Sequence, residues 1–261
     1  MKTVLLTGCT SGIGKALSKE FASDNHNLIL VARNKDKVLE LSKELSKKYG
    51  ICTYPILCDL REQDAYQQIY CQVEELNLVV DILVNAAGFG IYGEFVDSDP
   101  VLQQELLQVN MSSLLCLCNL FGLQMKKRGR GYIINFSSIS GFFPGTYMSS
   151  YYASKAFILS YSISLARELK PFGVKVLALC PGVIDTPFYN KAKADKRHSY
   201  LLYRMPPISA SKFAEKAYKT IKKEKIYYKI IGIKNKILVF LSIFVPKRVL
   251  AAILSWIQAK K

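Results

Sequence analysis

The sequence predicts an α/β fold, in which helices cover both faces of a doubly wound parallel sheet of about seven strands. Short apolar runs alternate with amphipathic stretches over residues 1–180, and six such units follow one another without a linker. Continuous apolar strands separated by helices indicate a parallel sheet that is buried on both faces. A length of 261 residues, half of them hydrophobic, is enough for one large buried core.

The order of the elements follows from these apolar runs. The predicted strands are Thr3–Leu6, Asn27–Val31, Thr53–Leu57, Ile82–Val84, Tyr132–Phe136, Lys175–Leu179 and Ile226–Ile231. The predicted helices cover residues 12–24, 34–49, 61–75, 99–128, 150–170 and 209–223. We therefore expect one Rossmann-type domain over residues 1–231, with a lid excursion over about 185–207 and a basic, apolar C-terminal extension over 232–261.

Cysteine usage and the amino terminus favour a cytoplasmic protein. The seven cysteines are scattered and form no Cys-x-x-Cys pair, so we expect reduced thiols. Residues 1–7, before the glycine-rich turn, are too short for the hydrophobic region of a signal peptide, so none is expected. The two histidines, His26 and His198, have no metal-ligand partners at useful spacing, so no metal is expected.

The excess positive charge is concentrated in the C-terminal extension. The net charge is +16, and residues 222–261 hold ten Lys or Arg but a single acid, Glu224. A basic tail indicates an anionic partner, and the absence of a recognition motif argues against nucleic acid. The apolar runs Ile237–Val245 and Val249–Ile257 are too short to span a membrane. They either lie on an anionic membrane surface or close over the lid or a subunit interface.

A glycine-rich turn between the first strand and the first helix is the first candidate site. Small residues let the backbone approach a pyrophosphate, and the helix N-terminus offers free N–H groups and a favourable dipole. The spacing is Gly-x-x-x-Gly-x-Gly, and a tight structural turn is the alternative. The candidate cofactor residues here are Gly8, Thr10, Ser11, Gly12, Ile13 and Gly14.

If the glycine-rich turn holds a dinucleotide, the residue after the second strand predicts whether that ligand is NAD or NADP(H). An acid near this position would hold the ribose 2′-hydroxyl of NAD, whereas an arginine accommodates a 2′-phosphate. Ala32 is neutral and Arg33 is basic, so the sequence favours NADP(H), with a solvated surface arginine as the alternative. Asp59 could accept a hydrogen bond from the adenine amino group. Further candidates at the following strand ends are Leu60, Asn85, Ala86 and Gly88.

Several motifs together resemble the short-chain dehydrogenase/reductase family. The motifs have the order and spacing of that family over residues 1 to about 190; they are Thr7–Gly14, Asn85–Gly88, Asn110, Ser138, Tyr151–Lys155 and Pro181-Gly182. The resemblance implies a nicotinamide cofactor and hydride transfer at a carbonyl or alcohol carbon. It also implies that Pro181, Gly182 and Val183 border the nicotinamide and that Thr186 bonds its carboxamide.

Tyr151 and Lys155 are four residues apart, which places them on one face of a helix. A lysine ammonium near a phenol lowers its pKa, so that Tyr151 could exchange a proton with the developing alkoxide. Tyr152 also lies within reach of Lys155, but the family pattern Tyr-x-x-x-Lys selects Tyr151. By resemblance, Lys155 also bonds the ribose of the nicotinamide.

Two polar residues complete the predicted catalytic set. Ser138, thirteen residues before Tyr151, would hydrogen-bond the substrate carbonyl, and its neighbour Ser137 is the alternative. The resemblance assigns Asn110 to a water-linked proton path to Lys155; otherwise it would be a satisfied helix-interior amide. The intact set argues against a non-catalytic, nucleotide-binding redox sensor.

The loops expected around the substrate are rich in aromatic residues and methionine. Such a lining suits a bulky apolar ketone, steroid-like or lipid-like, although these residues could instead pack the lid onto the core. Besides Ser138 and Tyr151, the candidate substrate residues are Phe142, Tyr147, Met148 and Phe188. A basic lid cluster could instead favour a substrate with an acidic head, such as a carboxylate or the phosphates of a thioester, or it could be a solvated lid face; it comprises Lys191, Lys193, Lys196 and Arg197. The nearest enzyme alternative is a 3-oxoacyl-thioester reductase. The resemblance implies a homodimer or homotetramer through helices 99–128 and 150–170.

Overall fold

The computed structural model describes residues 1–188, 192 and 207–258 and confirms the predicted fold class. Seven parallel strands form one sheet in the order β3-β2-β1-β4-β5-β6-β9. The strands are β1 (Thr3–Thr7), β2 (Asn27–Ala32), β3 (Thr53–Leu57), β4 (Ile82–Asn85), β5 (Gly131–Phe136), β6 (Val174–Cys180), β7 (Ile184–Asp185), β8 (Ile208–Ser209) and β9 (Tyr227–Ile230). The helices are α1 (Gly12–Ser23), α2 (Lys35–Tyr49), α3 (Ala65–Glu75), α4 (Pro100–Leu107), α5 (Ser113–Arg128), α6 (Ser149–Leu169), α7 (Ala210–Lys222), α8 (Ile233–Ser242) and α9 (Lys247–Gln258).

The two faces of the sheet bury separate hydrophobic clusters, as the continuous apolar strands predict. Alternate side chains of β1 point to opposite faces, so Leu6 joins one cluster and Leu5 the other. The first cluster includes Phe21 of α1 and Phe213 of α7. The second includes Phe121 of α5 and side chains of α3 and α6. Helices on both faces therefore leave the carboxyl ends of the strands as the accessible edge.

The direction of winding reverses beside β1. This strand pairs with β2 on one side and β4 on the other, so Thr7 faces both Val31 and Asn85 in the register. A crevice at such a reversal, outside the carboxyl ends of the strands, is where ligands bind in doubly wound folds. The turns after β1, β4, β5 and β6 all lie at this edge.

Two helices differ from the sequence prediction. The stretch predicted as one helix over 99–128 is interrupted by a π-helical turn, Gln108–Ser112, between α4 and α5. The helix predicted over 61–75 begins only at Ala65, because Arg61 bonds the carboxylate of Asp59 and holds the chain in a turn. Such side-chain bonds compete with helix formation at helix starts.

The Pro100–Arg128 segment is long and apolar enough to cross a membrane by length and composition alone. Its buried residues, which include Leu117 and Phe121, pack in a core cluster with β5 and α3. The core helix of a soluble protein passes the same test, so this segment is only weak evidence for a membrane-spanning helix.

Most of the segment predicted as a lid, about 185–207, lies outside the described residues. At its two ends, β7 pairs with β8 through Ile184 and Ile208. The basic cluster Lys191, Lys193, Lys196 and Arg197 lies outside the described residues. The two apolar runs of the C-terminal extension form α8 and α9, joined through Pro246.

Candidate active site

The glycine-rich turn between β1 and α1 forms a cradle that side chains would fill. Gly8 has a φ of +69°, and a Cβ there would lie 2.8 Å from the Cα of Ala87. Gly12 also has a positive φ, +51°, and its Cβ would lie 3.1 Å from the Thr186 side chain. Both positions therefore require glycine. The cradle opens at the N-terminus of α1, where free N–H groups fit a pyrophosphate.

Thr7 ties this turn to the loop after β4. Its Oγ1 accepts hydrogen bonds of 3.2 Å from the backbone N–H groups of Ala86 and Ala87. These bonds hold the backbone of residues 86–88 against the glycine turn. The predicted cofactor residues of both motifs thus form one continuous edge of the crevice.

The side chain of Asn85 points into the core, whereas its backbone belongs to the motif predicted to approach the cofactor. It is buried in β4, where its Nδ2 donates to Asn135 Oδ1 at 2.9 Å and to the sulfur of Cys118. Asn135 in turn donates to Ser162 on α6. Asn85 therefore belongs to a polar network inside the core, because the alternation along β4 turns its side chain toward α5. Only its backbone stays near the crevice.

Arg33 and Asp59 lie after neighbouring strands, β2 and β3. Arg33 is exposed, and its charge is close enough to help lower the pKa of Asp59. Partial burial opposes that lowering, but hydrogen bonds from Arg61 outweigh it. The backbone carbonyl of the next residue, Leu60, accepts a 2.8 Å hydrogen bond from the Ser113 hydroxyl, which holds the loop in place. An exposed guanidinium beside this anchored loop is available to a 2′-phosphate.

Tyr151, Lys155 and Ser138 meet at the carboxyl ends of β5 and β6. Lys155 Nζ lies 5.6 Å from the centre of the Tyr151 ring and donates 2.8 Å to the carbonyl of Phe136. Burial lowers the pKa of Lys155 to about 8. Burial also raises the pKa of Tyr151, and its hydrogen bond with Ser138 offsets part of that rise. The pKa of Tyr151 is therefore raised by burial, and not lowered as expected from the neighbouring Lys155.

The two neighbouring serines after β5 point to different partners. Ser137 donates 2.7 Å to the backbone carbonyl of Lys155 and is buried, so it braces α6. Ser138 accepts 3.1 Å from the N–H of Ser140 and makes a longer bond, 3.4 Å, to the carbonyl of Pro181. Ser138, and not Ser137, therefore faces the hydroxyl of Tyr151.

Tyr152 has partners of its own. Its hydroxyl accepts 2.9 Å from Nε2 of Gln258 in α9. Its ring is buried and meets the Tyr151 ring edge-on at 6.2 Å between centroids. Tyr152 thus contacts both Tyr151 and the C-terminal extension, and its hydroxyl bonds Gln258.

Asn110 sits in the π-helical turn and is almost fully buried. Its Nδ2 donates to the carbonyl of Phe89 and to Ser154 Oγ, while its Oδ1 accepts from the N–H of Phe89. Both amide protons are therefore used, and only a lone pair on Oδ1 is left for a water. A Cβ added at Gly88 would touch both Asn110 Oδ1 and Lys155 Nζ, at 3.1 and 3.5 Å. Asn110 and Lys155 thus flank the backbone of Gly88.

The turn after β6 reaches across the crevice to the glycine turn. Pro181 and Gly182 follow the last residue of β6, and Thr186 lies against Gly12. Phe188 N–H bonds the Thr186 hydroxyl at 3.4 Å. Val183, between these points, accepts through its carbonyl from Ile208 N–H. The segment therefore closes the crevice opposite α1, as expected for residues that border a nicotinamide.

The aromatic side chains around Tyr151 form one cluster, with one exception. Met148, Tyr152, Tyr151 and Phe188 pack together, and the Tyr151 and Phe188 rings lie 5.1 Å apart. Tyr147 contacts this group through Tyr92. Phe142 does not belong to it: it packs with Leu159 and Tyr228 near β9, so the structure does not bring it together with the other predicted substrate residues. The adjacent Phe143 joins the cluster instead.

An apolar cavity of about 240 Å³ lies beside this cluster. One wall comes from Ile139, Ser140, Phe143 and Tyr152 at the active site. The other comes from the C-terminal helices: Leu238, Leu241, Ser242, Val245, Leu250, Ile253, Leu254, Ile257 and Gln258. Apolar groups therefore line almost all of the space between the predicted catalytic residues and the C-terminal extension.

Two residues of the C-terminal extension hold the site but were not predicted from the sequence. Gln258 donates to Tyr152, and its carbonyl accepts 2.6 Å from the hydroxyl of Tyr92. Asn235 is buried against Gly182, where any Cβ would clash with its amide. Isolated amides at the edges of apolar runs carry no motif, so only the packing reveals their role. Among the described residues, no cluster of His, Cys, Asp or Glu could hold a metal.

Comparison with known proteins connects this geometry to a family. The family model for short chain dehydrogenases matches residues 2–197. The Probable oxidoreductase EphD of Mycobacterium tuberculosis (strain ATCC 25618 / H37Rv) is 30% identical over 235 residues, covering 85% of this chain and 40% of that protein. Very-long-chain 3-oxoacyl-CoA reductase of Bos taurus is 33% identical over 186 residues, covering 70% and 59%. The chain thus spans about half the length of these relatives.

Solved structures resemble it over most of both chains. A short-chain dehydrogenase from Sphingobium yanoikuyae in complex with NADPH has a TM-score of 0.83 and 27% identity, covering 93% of each chain. The bulky-bulky ketone specific alcohol dehydrogenase from Comamonas testosteroni has a TM-score of 0.78 and 26% identity, covering 93% and 92%. With the family model matching three quarters of its length, this chain belongs to the short-chain dehydrogenase family.

Proposed function

We propose that this protein is an NADPH-dependent reductase of a bulky apolar ketone, steroid-like or lipid-like, that also runs in the alcohol-oxidising direction. One observation carries the proposal: the apolar cavity shares the wall of Tyr152 with the cluster of Tyr151, Ser138 and Lys155. A carbonyl held at Ser138 and Tyr151 would place an apolar substituent toward that cavity.

The nicotinamide supplies or accepts the hydride when it is bound, and the protein side chains handle the proton. Ser138 Oγ–H holds the carbonyl oxygen, which becomes more negative as hydride arrives. Tyr151 then gives that oxygen its phenolic proton. Lys155 holds its position by donating to the Phe136 carbonyl, which leaves two ammonium protons for other acceptors. Its charge favours the phenolate that remains on Tyr151.

The choice of NADPH rests on the exposed guanidinium of Arg33 and on the neutral Ala32 before it. No carboxylate stands at either position to hold a 2′-hydroxyl. The complex of the Sphingobium yanoikuyae protein contains NADPH, which supports the same choice.

The size of the substrate is inferred from the cavity and from one relative. Branched and aromatic side chains line almost all of the space beside Tyr152, so a polar sugar-like substrate would leave its hydroxyls unpaired there. The Comamonas testosteroni protein is named for ketones with two bulky substituents.

A second candidate substrate is a 3-oxoacyl thioester. The 33% identity to a very-long-chain 3-oxoacyl-CoA reductase favours it, as does an apolar cavity that could take an acyl chain. A non-catalytic redox sensor is the candidate of another class. It does not account for a serine and a tyrosine hydroxyl that face each other beside a buried lysine.

A substrate screen separates these candidates. NADPH oxidation is followed with ketosteroids, bulky diaryl ketones, short and long 3-oxoacyl thioesters and small aldehydes, using Tyr151→Phe as the inactive control. The proposal expects the highest kcat/KM for a bulky ketone. A clear preference for long 3-oxoacyl thioesters would replace it by the second candidate. No turnover of any substrate, with intact NADPH binding, would favour the sensor.

We also propose a cytoplasmic location and self-association. The cysteine pattern supports the first. Exposed apolar residues on α4 and α5, among them Val101, Leu107 and Leu123, support a dimer or tetramer through that face. Sedimentation equilibrium tests the second: Leu107→Glu with Leu123→Glu should give a monomer.

A further inference from the structure

The helix α8 presents an apolar stripe to solvent. Ile233, Ile237 and Phe240 follow one another at helical spacing and are 69, 52 and 58% exposed, and Phe244, in the turn just beyond the helix, is 72% exposed. The opposite side of the helix is anchored, because Val239 is buried and Asn235 donates 2.6 Å to the carbonyl of Ile231. The exposure therefore belongs to a helix that is firmly packed on its other face.

The helix α9 repeats this pattern. Val249, Ile253 and Trp256 lie on one face and are 41, 45 and 72% exposed, whereas Leu254 and Gln258 are buried on the other. We call the exposed apolar residues of the two helices and of the turn between them the hairpin surface; it comprises Ile233, Ile237, Phe240, Leu241, Ile243, Phe244, Val249, Ile253 and Trp256. Contiguous apolar surfaces of this kind mark interaction sites on soluble proteins.

Positive charge surrounds the hairpin surface. Lys234 and Lys236 flank the stripe of α8, while Lys247 and Arg248 begin α9, and all four are exposed. Residues 225–261 contain no Asp or Glu. Two cations in the first turn of α9 stand at the positive end of its dipole, which is unfavourable unless an anion is near. An apolar surface with a basic rim is complementary to anionic lipid.

The apolar cavity opens onto the same surface. Leu241 of α8 and Ile253 of α9 both line the cavity and are also 57 and 45% exposed. Apolar side chains therefore surround the mouth of the cavity, and contact with lipid acyl chains would remove them from water. From there the apolar lining continues to Phe143 and Tyr152 beside the active site.

We propose that the α8–α9 hairpin docks in the interface of an anionic membrane, with the mouth of the cavity facing the lipid. With 10 and 12 residues, neither helix reaches the roughly 20 residues of a spanning helix, so the pair lies along the surface. A second copy of the chain is a less fitting occupant. Pairing two identical hairpins about a two-fold axis would bring two basic rims together without a compensating acid.

Vesicle binding by the full chain, without cofactor or substrate, tests the proposal. Co-sedimentation with phosphatidylcholine vesicles is compared with that of vesicles enriched in phosphatidylglycerol, at low and high salt. We expect binding to the anionic vesicles that high salt weakens. Trp256, the single tryptophan of the sequence, provides a second signal, since its emission should shift to shorter wavelength on binding.

Two variant pairs, each with a control, test the two components of the surface. Phe240→Ser with Phe244→Ser should abolish the emission shift, whereas Phe95→Ser with Val96→Ser, at residues 58 and 84% exposed elsewhere, should not. Lys247→Glu with Arg248→Glu should weaken binding to anionic vesicles by more than about ten-fold. Lys43→Glu with Lys47→Glu on α2 serves as the charge control.

The outcomes separate this proposal from the proposed function. Tyr151→Phe should bind vesicles like the wild type, because the hairpin surface is independent of the proton donor. Wild-type protein that stays in the supernatant with anionic vesicles at low salt would refute membrane docking. A dimer in sedimentation velocity that Phe240→Ser with Phe244→Ser converts to a monomer, without vesicle binding, would make a second copy the occupant and overturn the proposal.

Discussion

Nε2 of Gln258, in the last turn of α9, donates a 2.9 Å hydrogen bond to the hydroxyl of Tyr152, the residue next to Tyr151. The backbone carbonyl of Gln258 accepts from Tyr92, and its Oε1 lies 3.5 Å from the Thr146 hydroxyl. One buried glutamine thus joins the C-terminal helix to the loop after β4, the loop before α6 and α6 itself. The position of Tyr152 beside the apolar cavity therefore depends on how α9 is docked.

Replacing Gln258 by leucine should loosen this junction. The variant leaves the buried Tyr152 hydroxyl without its amide donor, which costs about 1–2 kcal/mol in the free energy of unfolding. We expect KM for a bulky ketone to rise with little change in kcat, because the wall moves but the proton donor does not. Urea unfolding and steady-state kinetics measure the two effects. Gln67→Leu, at an exposed position on α3, is the control; equal behaviour of the two variants would contradict the role of Gln258.

The adjacent tyrosines form a matched pair for the catalytic assignment. Tyr151→Phe removes the proposed proton donor and should lower kcat by about 10²- to 10⁴-fold, with NADPH binding preserved. Tyr152→Phe removes only a hydroxyl bonded to Gln258, so kcat should stay within a few-fold of the wild type. Reductase assays with fluorescence titration of NADPH measure both quantities. The opposite ranking of the two variants would assign the chemistry to Tyr152.

The strands and the motifs at their ends could be predicted from the sequence because each buried strand is an uninterrupted apolar run. Side-chain placement within them is harder to predict. Asn85 lies in a motif next to the crevice, yet the alternation along β4 turns its amide into the core. Phe142 and Phe143 are adjacent and chemically identical, and the 3-10 turn after Ser138 decides which of them faces the cavity.

Contacts between distant segments that no motif covers could not be predicted from the sequence. The π-helical turn at Asn110 and the bonds of Gln258 join segments that are 44 and 106 residues apart. No local pattern encodes such pairings, since they depend on how whole helices dock. The apolar runs of α8 and α9 were visible in the sequence, but the shared wall with Tyr152 was not.

Arg33 should decide between the two nicotinamide cofactors. In Arg33→Ala the 2′-phosphate of NADPH loses a charged partner, and KM for NADPH should rise by about ten-fold or more while KM for NADH changes little. Lys35→Ala, two residues further on in the first turn of α2, is the control for a general loss of positive charge. Kinetics with each cofactor at saturating ketone supply the comparison. A similar rise for both cofactors would show that Arg33 does not contact the 2′-phosphate.

Lys155 should make stability depend on pH in a definite direction. Burial lowers its pKa from 10.5 to about 8, so the folded protein binds this proton less tightly than the unfolded chain does. Between these two values the unfolded state holds more protons, and the contribution of Lys155 to stability therefore rises with pH. The full penalty, present below pH 8, is at most about 3 kcal/mol.

Comparison with Lys155→Met isolates this contribution from the other groups that titrate at high pH. Methionine keeps most of the apolar stem but carries no charge, so its stability curve should lack the rise between pH 8 and 10.5. Urea unfolding at several pH values gives the difference between the two curves, with Lys43→Met on the exposed face of α2 as the control. The difference should be largest near neutral pH, in favour of methionine, and shrink as the pH rises. Parallel curves for wild type and Lys155→Met would mean that the buried ammonium keeps its ordinary pKa in the folded protein.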